Sequence, residues 1–134
     1  MSDFDILSLA KQHLQDLADG KFGEELIASY FSKDVTQKEL PNKLNINGST
    51  SDYNELIERS KKIRHIVMQQ TFTVLHEHLA GNTVILEVLW KGIFTIPIGN
   101  TQPGGTINAH CALIMEFENG KIIRMRNYDC FDPF

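Results

Sequence analysis

The sequence has few cysteines and no long apolar run. Its two cysteines, Cys111 and Cys130, are too few for a disulfide framework or for a zinc site with four ligands, so we expect reduced, buried thiols. No apolar run reaches the roughly 18 residues that a membrane-spanning helix requires, and the N-terminal segment lacks a basic stretch followed by an apolar one. These absences predict a cytoplasmic protein that does not bind membranes.

Basic residues are also scarce. Lysine and arginine together number 13, against 17 aspartate and glutamate residues, which gives a net charge of −4. A chain without blocks of basic residues lacks the positive surface by which proteins bind phosphate backbones, so no nucleic-acid partner is expected. The composition is otherwise ordinary for a folded protein, with 42% hydrophobic residues. The length fits one domain, residues 1–134.

Helical periodicity marks the first part of the chain. Apolar residues recur at helical spacing from Phe4 to Leu17 and predict a first helix that ends near Asp19. The segment EELIASYF predicts a short second helix, with acidic residues at its start, where the helix dipole favours them. The polar segment that follows shows no sustained periodicity. It predicts a long loop over residues 34–51, and loops of this length in compact domains are usually functional or mobile.

A third helix and four strands are predicted after this loop. Ser51 or Asp52 can cap a helix over the segment DYNELIERSKKIRHI. The pattern then changes to runs rich in β-branched and aromatic residues, separated by turn residues. The predicted strands cover residues 68–79, 83–98, 107–117 and 121–131. Three helices followed by four long strands predict an α+β domain with an antiparallel sheet, rather than alternating βαβ units.

The dipeptide Asn119-Gly120, between the last two predicted strands, predicts a two-residue hairpin turn. Both residue types tolerate the positive φ that a type I′ turn needs. With regular pairing this turn puts His110 opposite Asp129, at a Cβ separation of about 4.5–5.5 Å. Because side chains alternate along a strand, further pocket candidates fall on the same face. These are Ile114, Met125 and Asn127.

His110 and Asp129 are therefore candidates for a catalytic acid and base. A carboxylate beside an imidazole favours the imidazolium, whereas burial favours the neutral ring, so such a pair can be poised near neutral pH. One member would move a proton on a bound ligand while the other orients it. The alternative is a cross-strand hydrogen bond that only fixes the register. A shift of one residue in the pairing would place the two side chains on opposite faces of the sheet.

Other aromatic and histidine residues have more than one interpretation. Trp90 lies in a strand with apolar residues at every second position, which is typical of a pocket wall or of plain core. Tyr30 and Phe31 close the second predicted helix and Tyr53 opens the third, and one of the three is expected to contact a ligand, the alternative being core packing. His76 and His78 share a strand face, but no third ligand accompanies them, so neither a metal nor another cofactor is expected.

Several local motifs stand in an order that is typical of one superfamily. They are LADGKFGEELIASYFSKDV, VLWKGIF, the glycine-rich GNTQPGG and FENGKIIRMRNYDCFDPF. In this order they resemble the SnoaL-like branch of the nuclear-transport-factor-2-like (NTF2-like), or ketosteroid-isomerase-like, superfamily. The resemblance implies a cone-shaped antiparallel sheet wrapped by three helices, a deep pocket and a homodimer formed through the outer face of the sheet. The candidate interface is the hairpin face that carries Cys111, Leu113, Met115, Phe117, Arg124, Arg126 and Tyr128.

The ketosteroid isomerases within this superfamily suggest some site residues. These enzymes use an Asp base together with a Tyr and a protonated Asp. The nearest match to the base is Glu39, and the position of the Tyr falls at or near His13. The position of the protonated Asp falls near Ala112 or Ile114, which are both apolar.

The SnoaL-like cyclases suggest another set. They are similar in using an Asp on the last strand with a His nearby on the sheet. Asp129, or Asp132 if the register shifts, matches the Asp, and His110 matches the His. The general base stays open between the two Asp residues.

Two functions follow from these patterns. The first is a cofactor-free enzyme of isomerase, cyclase or hydratase type that acts on a small hydrophobic carbonyl compound, with His110 and Asp129 as the acid/base pair and Asn127 orienting the ligand. The second is a non-catalytic dimeric module of the same fold that binds a small apolar ligand or a partner chain.

Overall fold

The computed structural model describes residues 5–134, so Phe4, placed at the start of the first predicted helix, lies outside the described residues. Two helices come first, α1 (Ile6–Ala18) and α2 (Gly23–Tyr30). Two strands follow, β1 (Phe31–Glu39) and β2 (Ser49–Ser51), and then helix α3 (Tyr53–Ile66). Four long strands complete the chain: β3 (Val67–Ala80), β4 (Thr83–Phe94), β5 (Thr106–Glu118) and β6 (Lys121–Phe131). None of the helices in residues 5–134 has the length and apolarity to cross a membrane.

The helix ends confirm the predicted signals. Helix α1 stops at Ala18 with Asp19 as its C-cap. Helix α3 begins with a capping box in which the Asp52 carboxylate accepts a hydrogen bond from the Glu55 N–H at 2.9 Å. The Glu55 carboxylate accepts one in return from the Asp52 N–H at 3.0 Å. Asp52, and not Ser51, is therefore the cap.

The strands form one six-stranded sheet in the order β2-β1-β6-β5-β4-β3. The four predicted strands are confirmed, but the predicted loop over residues 34–51 is wrong in part, because its first third belongs to β1 and its last three residues form β2. Strand β1 pairs in parallel with β6, so the sheet is mixed and not purely antiparallel. Val35 and Gln37 of β1 are buried at alternate positions, as expected for a strand with one covered face.

The core lies between the helices and one face of the sheet. Buried apolar residues alternate along β4 and β5, and the helices pack on them. The most deeply buried large side chains are Leu86, Ile107, Met115, Ile122, Val35, Val84 and Val88. Three helices on one face of a curved, open sheet confirm the predicted α+β cone, with six strands in place of about four.

The hairpin between β5 and β6 begins as predicted and then changes register. Asn119 and Gly120 both have positive φ, 52° and 76°, as a type I′ turn requires. Phe117 pairs with Ile122 as expected, but Glu116 pairs with Arg124, which leaves Ile123 as an extra residue in β6. This is a β-bulge, and every later pair is displaced by one residue.

The displaced register overturns the predicted pair of His110 and Asp129. Asp129 lies opposite Cys111, whereas His110 lies opposite Cys130. Along β5 the odd-numbered residues are buried, so His110 and Ile114 lie on the outer face of the sheet, away from the helices. The prediction was wrong because it assumed regular pairing across the whole hairpin. Part of the predicted dimer interface is also wrong, because Cys111, Leu113, Met115 and Phe117 lie on the face of β5 that the helices cover and are buried in the core.

Candidate functional site

A cavity of about 1000 Å³ lies between the helices and the concave face of the sheet. All three helices and five of the strands, β1 and β3 to β6, contribute lining residues. Apolar side chains form most of its wall, and a few polar groups interrupt them. A cavity of this size and character is typical of small-molecule sites, which range over roughly 300–1,000 Å³.

The structure sorts the predicted pocket residues into two groups. The residues that line the cavity are Asp129, Asn127, Met125, Trp90, His13 and Glu39. The residues that do not line it are His110, Ile114, Tyr30, Tyr53 and Asp132. The first two of these lie on the outer face, because the odd-numbered residues of β5 are the ones that face the helices. Tyr53 packs against the edge of the core, and Asp132 is exposed. Of the two alternative Asp residues, Asp129 is therefore the one in the cavity wall.

Asp129 has an unusual environment for a carboxyl group. It faces Cys111 across the β5–β6 pair, and both side chains line the cavity. Burial raises the pKa of the Asp129 carboxyl, the negative charge of Glu39 adds to the rise, and hydrogen bonding with the Cys111 thiol opposes it in part. Within residues 5–134 no Lys, Arg or His nitrogen lies within 4 Å of this carboxyl. The Asp129 carboxyl thus keeps its proton to a higher pH than an ordinary Asp does.

Cys111 is not a nucleophile in this setting. Burial raises the pKa of its thiol strongly, and the Asp129 charge raises it further. The thiolate is the reactive form of cysteine, so the Cys111 thiol is unreactive at neutral pH.

Glu39 is the second carboxyl group in the cavity wall, and it is fully partnered. It accepts hydrogen bonds from Arg59 at 2.7 Å and from Asn42 at 2.9 Å. Burial alone would raise the pKa of Glu39, but the hydrogen bonds from Asn42 and Arg59 outweigh it and hold the pKa below its usual value. Glu39 is therefore ionised at neutral pH.

Arg59 continues this network towards Asn127. Its guanidinium donates to the side-chain oxygens of Gln37, at 3.2 Å, and Ser51, at 3.1 Å. The Gln37 amide in turn donates to Asn127 Oδ1 at 2.8 Å. The orientation of the Asn127 amide is fixed by this bond, and its N–H groups have no hydrogen-bond acceptor in the described part of the chain. Asn127 can therefore donate to a ligand in the cavity.

His13 is a buried, neutral imidazole in the cavity wall. Burial lowers its pKa to about 4, although the charge of Asp16 opposes the shift. Its ring packs against the rings of Tyr30 and Phe31, with centroids 5.0 Å and 5.3 Å away. Its Nδ1 has no hydrogen-bond partner within residues 5–134. His13 is thus a polar group that a ligand could satisfy.

Tyr30 packs against His13, and its hydroxyl is already hydrogen-bonded within the protein. Its hydroxyl donates to the Asp16 carboxylate, which also accepts from Gln12 at 2.9 Å and from Lys21 at 3.2 Å. Burial and the Asp16 charge raise the pKa of Tyr30 strongly. One of Tyr30, Phe31 and Tyr53 was expected to contact a ligand. Phe31 lines the cavity, whereas the Tyr30 hydroxyl is used within the protein.

Trp90 forms an aromatic wall of the cavity. Its indole N–H donates to Gln70 at 3.0 Å, and its ring meets Phe94 and Phe131 edge to face, both with centroids at 6.1 Å. The indole lies over Gly92, where a Cβ would come within 2.3 Å of the ring. Glycine at this position makes room for the indole.

Several polar residues of the cavity were not identified from the sequence. Gln37, Arg59 and Gln70 are among them. The alternation of Val35 and Gln37 was a weak signal for β1, but nothing local indicates that Arg59 turns inward. Among residues 5–134 no group of three or more His, Cys, Asp or Glu side chains is placed to hold a metal ion.

Comparison with known proteins shows similarity in structure but not in sequence. No protein-family model matches the sequence, and no curated protein matches it. IdmH, a proposed polyketide cyclase from Streptomyces antibioticus, superposes with a TM-score of 0.75 at 13% identity, over 94% of this chain and 92% of that chain. An NTF2-like protein of unknown function from Burkholderia pseudomallei gives a TM-score of 0.75 at 11% identity, over 96% of this chain and 92% of that chain.

A third structure, a proposed polyketide cyclase from Acidithiobacillus ferrooxidans, gives a TM-score of 0.71 at 19% identity, over 96% of this chain and 91% of that chain. Identities this low establish a shared fold and leave the activity open. The resemblance found in the sequence is confirmed at that level. The chain adopts the NTF2-like, ketosteroid-isomerase-like fold.

Proposed function

We propose that this protein binds a small hydrophobic carbonyl compound in its cavity and catalyses proton transfer without a cofactor, as an isomerase or cyclase. The observation that carries this proposal is the Asp129 carboxyl, which lies in an apolar cavity wall, has no cation beside it in the described chain and has a raised pKa. A general acid or base works best when its pKa lies near the working pH, and burial is the usual way to raise that of an Asp.

The neighbours of Asp129 fit the chemistry. Removing a proton next to a carbonyl creates negative charge on the carbonyl oxygen, which hydrogen-bond donors stabilise. Asn127 lies two residues away on the same face of β6 and has free N–H donors. Two proteins with the same fold, the IdmH protein and the one from Acidithiobacillus ferrooxidans, are proposed polyketide cyclases, and this supports a carbonyl substrate.

A non-catalytic role is the second candidate. His110 lies on the outer face of the sheet, so Asp129 lacks the histidine partner that the sequence predicted, and this favours the non-catalytic role. A module of this kind would use the same cavity to hold an apolar ligand without changing it.

Deuterium exchange distinguishes the two functions. Wild-type protein is incubated in heavy water with tetralone and other hydrophobic ketones, and NMR follows loss of the protons next to the carbonyl. Asp129→Asn should remove the exchange. His110→Gln is the matched control and should retain it, because His110 lies on the other face of the same hairpin. Loss of exchange in His110→Gln but not in Asp129→Asn would contradict the assignment, and ligand binding without exchange in the wild type would favour the non-catalytic module.

We further propose that the protein is a homodimer through the outer face of the sheet. This face carries apolar side chains that are partly or fully exposed: Ile85, Leu89, Ala112, Ile114 and Tyr128. Leu89 and Tyr128 expose 37% and 41% of their surface to water. A partner subunit would bury this apolar surface, which is unfavourable in contact with water. Analytical ultracentrifugation should show a wild-type dimer and a Leu89→Asp monomer. A monomeric wild type would refute the interface.

A further inference from the structure

The rim of the cavity has exposed apolar side chains from several parts of the chain. They are Phe22, Leu44, Ile63 and Met68, and all four also line the cavity. Each of them exposes at least 40% of its surface. The apolar lining therefore continues to the surface, so that a ligand reaching out of the cavity would still find apolar contacts at its edge.

Two cations stand among these apolar rim residues. Lys62 and Arg64, on the last turns of α3, are exposed and line the cavity. Within residues 5–134 neither has a carboxylate within 4 Å, whereas Lys61 beside them pairs with Glu58 at 3.4 Å. The Arg64 guanidinium lies over the ring of Phe22, 4.1 Å from its centroid. This cation–π contact positions Arg64 before any ligand arrives.

The other charged residues near the rim have hydrogen-bond or ion-pair partners within the protein, although the partner of Asp19 is a neutral amide. Lys21 pairs with Asp16 at 3.2 Å, and Asp19 accepts a hydrogen bond from Gln15 at 2.9 Å. Deeper in the cavity, the charge of Arg59 is balanced by Glu39 at 2.7 Å. Among the Lys and Arg side chains that line the cavity, Lys62 and Arg64 are therefore the two whose positive charge no carboxylate of residues 5–134 balances.

We propose that Lys62 and Arg64 bind the carboxylate of an amphiphilic ligand whose apolar body fills the cavity. A charged group cannot enter the apolar interior without a large desolvation cost, so it stays at the rim. There an arginine offers the paired N–H donors that match a carboxylate. This inference rests on the cavity being the ligand site of the proposed function, and it narrows the substrate class to hydrophobic carboxylic acids that carry their reacting carbonyl deeper in the chain, towards Asp129.

The binding test uses decanoate and decanol, which share an alkyl chain and differ in the charged head. Trp90 is the only tryptophan of the chain and lines the cavity, so its fluorescence reports binding directly. Wild-type protein should bind decanoate more tightly than decanol, and added salt should weaken the binding of decanoate but not that of decanol. The double variant Lys62→Gln/Arg64→Gln should bind decanoate about tenfold more weakly and decanol unchanged, as expected for two exposed ion pairs.

Lys61→Gln is the matched control, because it removes the same charge from the neighbouring position on α3, and its decanoate affinity should stay at the wild-type value. The proposal is overturned if wild-type protein binds both compounds equally, if it binds neither, or if Lys61→Gln weakens decanoate as much as the double variant does. Deuterium exchange separates this result from the proposed function. Equal binding of the two compounds with exchange that still depends on Asp129 rejects the carboxylate site alone, whereas a decanoate preference without exchange rejects the catalytic function alone.

Discussion

Two carboxyl groups share the wall of one cavity and have opposite environments. Glu39 accepts hydrogen bonds from Arg59 and Asn42, and these hold its pKa below the usual value. Asp129 faces the Cys111 thiol, has no cation within 4 Å in residues 5–134 and has a raised pKa. Burial acts on both groups in the same direction, so the difference comes from the partners. A cation beside the carboxyl group keeps Glu39 ionised, whereas Asp129, which has none beside it in the described chain, is the one that can take up a proton near the working pH.

The largest expected effect is on catalysis. Asp129→Asn should lower the rate of proton exchange by about 10²- to 10⁴-fold, which is the usual contribution of a general acid or base. Glu39→Gln should change the rate by less than about tenfold, because Glu39 is held by Arg59 and is not free to accept a proton from a ligand. Rates measured by NMR on both variants test the contrast. Equal losses would mean that the two carboxyl groups act as one unit.

A smaller effect is expected on stability. Arg59→Met removes the cation beside Glu39 and leaves a largely buried carboxylate and Gln37 without a donor. The free energy of unfolding should fall by about 1–3 kcal/mol, the usual cost of leaving buried polar groups unsatisfied. Urea denaturation at pH 7 measures it. In the double variant Arg59→Met/Glu39→Gln part of the loss should be recovered, and if it is not, the packing of the Arg59 side chain matters more than its charge.

The smallest expected effect is that Asp129 and Glu39 change the free energy of unfolding with pH in opposite directions. The pKa of Asp129 in the folded state lies above the usual value of 3.8, so the folded state keeps the proton to a higher pH than the unfolded state does. The free energy of unfolding should therefore fall as the pH rises from about 4 through the raised pKa, and Asp129→Asn should remove this fall. Glu39 has the opposite sign. Its folded pKa lies below the usual 4.5, so its contribution to stability is present above that pH and is lost as the pH falls through the lowered pKa.

Urea denaturation of the wild type, of Asp129→Asn and of Glu39→Gln at several pH values between 3 and 8 measures how the free energy of unfolding changes with pH. A wild type and an Asp129→Asn variant with the same pH dependence would show that Asp129 has an ordinary pKa, and the acid/base assignment would then lose its basis.

The parts of the fold that depend on local sequence were predicted well. The Asp52 capping box, the end of α1 near Asp19 and the Asn119-Gly120 turn each depend on residues within a few positions of one another. Strand β1 was missed because its buried Gln37 looks like a loop residue in the sequence. Its burial is possible only because Arg59 and Asn127, which are distant along the chain, supply hydrogen-bond partners.

The site was predicted in part for the same reason. Asp129, Asn127 and Trp90, three of the predicted pocket residues, line the cavity, although the argument that selected Asp129 also placed His110 beside it. The bulge at Ile123 separates them, and no turn rule indicates it. It coincides with an irregular stretch where β6 pairs with β1, a strand distant along the chain, between Phe31 and Thr36.

The bulge at Ile123 also means that strand length can control the chemistry of the cavity. Loss of one residue between the bulge and Asp129 would turn the end of β6 over, so that Tyr128 and Cys130 would face inward and Asp129 outward. A single-codon deletion could thus exchange an acid for a phenol and a thiol without any substitution. For the evolution or redesign of this cavity, the number of residues in the last strand is as important as their identity.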